Sequence, residues 1–117
     1  MGRALDKRIH SSYTLAVAGF PDELSACTGF QWDAGNATRN WELHEVAQAE
    51  AEQLFFNRPI RAAVDPTHSR EEARYGALGQ TSAGRFLSVV FTIRDTLVRV
   101  ISARDMSRRE RRVYERA

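Results

Sequence analysis

The stretch 85–104, RFLSVVFTIRDTLVRVISAR, restricts the possible folds more than any other part of the chain. Leu87, Val89, Phe91 and Ile93 alternate with Phe86, Ser88, Val90 and Thr92, a period of two that belongs to β-strands. Arg94-Asp95 predicts a two-residue turn, without the Gly that primed hairpin turns favour. That turn sets Phe91 opposite Val98 and Val89 opposite Val100 on one apolar face, and Val90 opposite Arg99 on the other. Arg99 is the only charge between Asp95 and Arg104. Either it has a function there or it snorkels from a sheet edge.

With 117 residues the chain forms at most one domain, with a core large enough to fold without disulfides. Cys27 is the only cysteine, which excludes an internal disulfide and a cysteine metal site and fits a reducing cytoplasm. Net charge is +2, but it is unevenly spread: residues 30–60 hold two Arg against five acids, and residues 84–117 hold nine Arg against four. A C-terminal third at +5 suits an anionic partner, nucleic acid or an acidic protein. Of the seventeen basic residues only Lys7 is lysine. A GC-rich genome would produce that bias, and so would a need for bidentate phosphate binding. No apolar run approaches the ~20 residues of a membrane span. Pro21, Asp22 and Glu23 interrupt what would otherwise be the apolar part of a lipoprotein signal ahead of Cys27.

Residues 1–29 read as an N-terminal extension, with 13–20 as a short strand or a helical turn, and residues 30–117 as the domain. Asp33 is an N-cap for a helix over 34–44, on which Ala37, Trp41 and His44 share a face and Leu43 points away. A second helix over 47–56 turns Ala47, Ala51, Leu54 and Phe55 inward, and Asn57 and Pro59 stop it. The two helices are expected to pack on a sheet through Trp41, Leu54 and Phe55. Strands follow over 60–64 and 72–79, with a turn at Asp65-Pro66. Ser107 and Glu110 form a capping box that starts the last helix at Arg108. Strand, two helices, antiparallel sheet and closing helix make an α+β domain.

The chain has no Gly-rich phosphate loop, no nucleophile elbow and no paired-His metal spacing, so no metal or other cofactor is expected. One helix histidine, several arginines and Tyr114 can still cleave RNA. The substrate supplies its own 2′-OH nucleophile, and the protein needs a base, cations around the phosphate and a proton for the leaving oxygen. Each residue also has a plain structural reading. His44 suits a half-buried core histidine, Arg74 a surface pair with Glu71 or Glu72, the terminal arginines a solvated helix, and Tyr114 ordinary packing.

Residues 30–117, about three quarters of the chain, resemble the BrnT family of ribonuclease toxins from type II toxin–antitoxin systems. The likeness lies in Phe30-Gln31-Trp32-Asp33, in Asn40 with His44, in Asp65-Pro66-Thr67-His68-Ser69 and in Glu72-Ala73-Arg74-Tyr75. It continues through Val98-Arg99-Val100-Ile101-Ser102-Ala103-Arg104 and the helix from Arg108 to Glu115. The resemblance implies a RelE-like α+β fold, metal-independent RNA cleavage, neutralisation by a BrnA-type antitoxin, and operator DNA binding only through the antitoxin complex. It places catalysis on His44, Arg74, Arg99 and Arg104, and contacts to RNA or antitoxin on Trp32, Arg85, Arg108, Arg109, Arg112 and Tyr114. The family's Lys-His-Gly reads Leu43-His44-Glu45 here, so a cation is lost beside the histidine and a carboxylate gained. That departure implies weakened cleavage. In the alternative reading, the chain is a non-enzymatic binding subunit of an antitoxin–operator repressor complex.

Overall fold

The computed structural model describes residues 22–65 and 72–116. Along the chain run α1 (Asp22–Ser25), β1 (Gly29–Phe30), α2 (Ala34–His44), α3 (Gln48–Phe56), β2 (Arg61–Val64), β3 (Arg74–Gln80), β4 (Phe86–Arg94), β5 (Leu97–Asp105) and α4 (Arg108–Arg116). The strands form one sheet in the order β1-β5-β4-β3-β2, antiparallel except where β1 runs parallel to β5. This is the α+β architecture expected from the sequence. Among the described residues no helix is long and apolar enough to cross a membrane. The expected element at 13–20 and the motif residues 66–71 lie outside the described residues.

Alternation in β3, β4 and β5 divides the sheet into two faces. Tyr75, Ala77, Leu87, Val89, Phe91, Val98 and Val100 are all buried on one of them. Helix α3 lies on that face through Ala51, Leu54 and Phe55. The ring of Phe55 meets Phe91 edge-on at 5.1 Å and Phe30 at 5.5 Å, both favourable aromatic geometries. Gly79 allows the close approach: a Cβ there would stand 2.7 Å from Leu54 Cγ. Leu24 in α1 and Cys27 just after it are completely buried in the same core.

The hairpin differs from expectation in register. Its loop is Asp95-Thr96, not Arg94-Asp95, because Arg94 stays in the ladder opposite Leu97. Asp95 takes the left-handed conformation (φ 58°), which Asp tolerates through local hydrogen bonding. Arg94 pairs with Glu72 at 3.0 Å. The shift is two residues, so each side chain keeps its face. Phe91 meets Val100, Ile93 meets Val98, and Thr92 rather than Val90 stands opposite Arg99. Further along, Val90 pairs with Ser102, so Ile101 is an extra residue on β5 and forms a bulge.

The expected packing of α2 through Trp41 is also corrected, since Trp41 is 56% exposed. The helix turns Asn36 and Asn40 inward instead. Strand β1 pairs with only the first two residues of β5, which leaves the rest of that edge without a strand partner. Helix α2 covers it. Asn36 Nδ2 donates to the carbonyl of Val100 at 2.9 Å, and the Ala103 N–H donates to Asn40 Oδ1 at 3.0 Å. A helix lying on a strand edge meets polar main chain, so its contact residues are amides. The N-terminus of α2 carries a capping box in which Asp33 and Asn36 bond each other's N–H at 3.0 and 2.8 Å.

Candidate active site

His44 is the last residue of α2 and is half-buried. Glu45 closes the helix in the left-handed conformation at φ 53° and ψ 40°, a position that favours glycine. Arg85 caps the free carbonyls at this end, donating to the His44 oxygen at 3.1 Å and the Glu45 oxygen at 2.9 Å. The same guanidinium pairs with Asp105 at 2.7 Å and Glu50 at 3.2 Å. Arg85 thereby ties the end of α2 to the start of α3 and the end of β5. The Arg85 hydrogen bond also holds the Asp105 carboxyl below the usual carboxylate range. Beside this clamp, His44, Leu43, Glu45, Asp105 and Arg104 line a shallow pocket of about 450 Å³.

The register shows which arginines share a face. Arg74 and Arg99 both stand opposite Thr92, and Arg104 stands opposite Ser88, all on the sheet face away from the core. Between them run Gly76, Val90 and Ser102, also in register. A groove of about 690 Å³ crosses this open face. Arg74, Arg104 and Arg39 are among its lining residues, and Arg104 lines the His44 pocket as well. The face thus brings Arg74, Arg99 and Arg104 together, with His44 adjoining through Arg104.

Two of these cations already hold carboxylates. Arg99 pairs with Asp33 at 2.9 Å, which explains a charge within the strand: it binds the N-cap of α2. Asp33 is held below the usual carboxylate range by the Asn36 N–H first and by Arg99 second. Arg104 forms a two-pronged pair with Glu110 at 2.8 and 2.9 Å. The Arg104 hydrogen bond lowers the Glu110 carboxyl from 4.5 to about 2, with help from Ser107. The Ser107–Glu110 capping box is formed as the sequence predicts, at 3.1 and 2.8 Å.

The remaining sequence candidates are spread more widely. Tyr114 is buried, its hydroxyl donating to the Pro59 carbonyl at 2.6 Å and its ring edge-on to Phe86 at 5.9 Å. Arg111 lies 3.9 Å over the other ring of that pair, Phe86. These contacts fasten α4 to one end of the open face. Arg108, Arg109 and Arg112 are exposed on α4. Trp32 packs against the core and donates its indole N–H to Glu52 at 2.7 Å. Sequence reasoning missed Asn36, Asn40 as an edge clamp, and Arg39. The two asparagines left a signal: they lie one turn apart on a helix without an aliphatic stripe. Nothing in the sequence pattern singles out Arg39. Among the described residues no group of three or more His, Cys, Asp or Glu side chains is placed to hold a metal.

Residues 32–110 match the sequence model of a family described as the ribonuclease toxin BrnT of type II toxin–antitoxin systems. The crystal structure of the Brucella abortus ribonuclease toxin BrnT superposes with a TM-score of 0.50 at 23% identity, covering 68% of this chain and 97% of that one. At that identity the likeness concerns the fold. No curated protein matches the chain at a significant level.

Proposed function

The chain belongs to the BrnT family of ribonuclease toxins of type II toxin–antitoxin systems, and we propose that it cleaves RNA without a metal and is silenced by a BrnA-type antitoxin. In this reading the His44 imidazole takes the proton of a ribose 2′-OH, and the oxygen attacks the adjacent phosphorus. The bond from phosphorus to the 5′-oxygen breaks, that oxygen takes a proton from water, and the protonated His44 returns its own to solvent. The products are a 2′,3′-cyclic phosphate and a 5′-OH. Arg74, Arg99 and Arg104 offset the charge that builds on the phosphorane. The observation that carries the reading is the shared face of these three arginines, with Arg104 common to the groove and the His44 pocket.

An acidic or amphipathic antitoxin segment would cover part of the same arginines and α4, and the complex would reach operator DNA through the antitoxin. The cytoplasm supplies both partners. The decisive assay is cleavage of a defined RNA by the purified chain in EDTA. Full activity with cyclic-phosphate ends is the expected result, and activity lost in EDTA and restored by Mg²⁺ overturns the mechanism. A second reading, a weakened toxin serving as a repressor subunit, is favoured by one observation: Leu43 is 63% exposed beside His44 where the family carries lysine. Growth arrest on induction of this chain alone excludes it.

A further inference from the structure

The middle of the open face has a floor but no cover among the described residues. Gly76 lies mid-strand, between Ala63 on β2 and Val90 on β4. A Cβ built on it would meet nothing within 4 Å. A glycine inside a strand weakens it and marks a place where something else approaches the backbone closely. The groove above it has a volume of about 690 Å³, within the range of small-ligand sites. Strands β3 and β4 have strand neighbours on both sides here and α2 covers the outer edge of β5, so the groove offers a sheet face and not an edge.

Charge indicates what fits. Arg39, Arg74 and Arg104 line the groove with Asp65 and Glu110, three cations against two carboxylates, and Arg104 and Glu110 offset each other. Arg39 is exposed on α2 and makes no ion pair among the described residues. It lines both this groove and a smaller pocket of about 400 Å³ that contains Arg99. A continuous path therefore runs from Arg99 past Arg39 to Arg104 and on to His44.

We propose that this groove seats the single-stranded RNA segment next to the cleaved bond, one base lying over Gly76 and Val90 and a backbone phosphate meeting Arg39. The proposal rests on the ribonuclease reading above. An apolar floor accepts the π-face of any base, and a guanidinium at the side fixes the chain without reading its sequence.

The test uses the full-length chain, a short fluorescent single-stranded RNA, and the same oligonucleotide with 2′-deoxy sugars, which cannot be cleaved. Gly76→Ile points its side chain into open space and raises strand propensity, so thermal stability is unchanged or higher. Binding of the deoxy oligonucleotide and cleavage of the RNA both fall at least tenfold. Arg39→Ala weakens binding several-fold and reduces the slope of log K against log salt by about 0.7, one phosphate contact on a single strand. If Gly76→Ile binds and cleaves like the unmodified chain, the groove is not the RNA seat, although the ribonuclease reading stands. If it loses antitoxin but keeps RNA, the groove belongs to the protein partner and the proposal fails. Arg39 touches no core, so unchanged affinity and slope for Arg39→Ala overturn its assignment even if Gly76→Ile proves unstable. An unmodified chain that neither binds nor cleaves RNA overturns both readings together.

Discussion

Glu45 occupies a helix end whose backbone favours glycine. The left-handed conformation brings Cβ near the carbonyl oxygen, a strain glycine lacks, and φ 53° places Glu45 in that region. The glycine of the family's Lys-His-Gly thus has a backbone reason apart from any charge effect. Glu45→Gly is expected to stabilise the chain by about 0.5–1 kcal/mol, net of the greater freedom of the unfolded state. Calorimetric or denaturant unfolding checks this. Leu43 is 63% exposed, so it fills no core contact among the described residues. Leu43→Lys is therefore expected to leave the melting temperature unchanged while raising RNA cleavage. With Glu45→Gly the gain should reach about three- to tenfold, on the order of 1 kcal/mol in the transition state. His44→Ala in that background should remove most of it. A lower melting temperature with unchanged cleavage would assign Leu43 a structural role.

At the scale of elements, α2 and α4 are both held to the sheet by polar contacts. Asn40→Ala strips the Ala103 N–H of its partner, and an unpaired buried donor costs about 1–3 kcal/mol. The predicted signature is local: amide exchange at Ala103 quickens more than in β4. Glu110→Gln keeps the capping box but loses the two-pronged grip on Arg104. Both side chains are partly exposed, at 42% and 28%, so solvent screening limits the loss to about 1 kcal/mol, ~5 °C in melting temperature. The pH dependence has a definite sign. The folded Glu110 carboxyl titrates at about 2 against 4.5, so the unfolded chain binds more protons between those values. The stabilisation is present above about pH 4.5 and disappears as pH falls toward 2. Acid titration of stability should be flatter over that window in Glu110→Gln. These contacts also show how far sequence was legible. Alternation located β3, β4 and β5, and capping residues located the starts of α2 and α4, because both signals are local. Trp41 misled because an aromatic on a helix face implies an apolar partner, whereas α2 lies against a strand edge, and no local pattern announces an edge. The hairpin register was missed for a similar reason: Asp at the first or second loop position reads alike until the left-handed φ is known. His44, Arg74 and Arg99 stood out as residue types that could act on RNA, and the resemblance gave them roles and added Arg104, while the ion pairs of Arg99 and Arg104 depend on contacts 66 and 6 residues apart.

For the whole molecule, the uneven charge sets how it meets a polyanion. Residues 84–117 carry nine Arg against four acids, and Arg108, Arg109 and Arg112 stand in solvent on α4. Arg108→Ala with Arg112→Ala is expected to weaken RNA binding for all sequences alike. The log–log salt slope should fall by about 1.4, two released counterions on a single strand. Anisotropy titrations at several salt concentrations measure it, and an unchanged slope would place these arginines outside the RNA path. One irregularity determines whether the arginines can act together at all. In a regular strand, residues five apart look out from opposite sides, so Arg99 and Arg104 would face different worlds. The additional residue at Ile101 reverses the odd–even count midway along β5. Ala103 stays inside and Arg104 joins Arg99 outside. What the chain must preserve there is an unpaired position more than an identity. Val for Ile at position 101 changes one side chain, and loss of that residue would let Ser102 follow Val100 in a regular ladder with every face kept. Ironing out the bulge with Ile101 paired to Val90 instead turns over everything from Ser102 to Asp105, burying a guanidinium and expelling an alanine. Substitutions along this strand are changes of degree, and a ladder that closes over its unpaired residue is a change of kind.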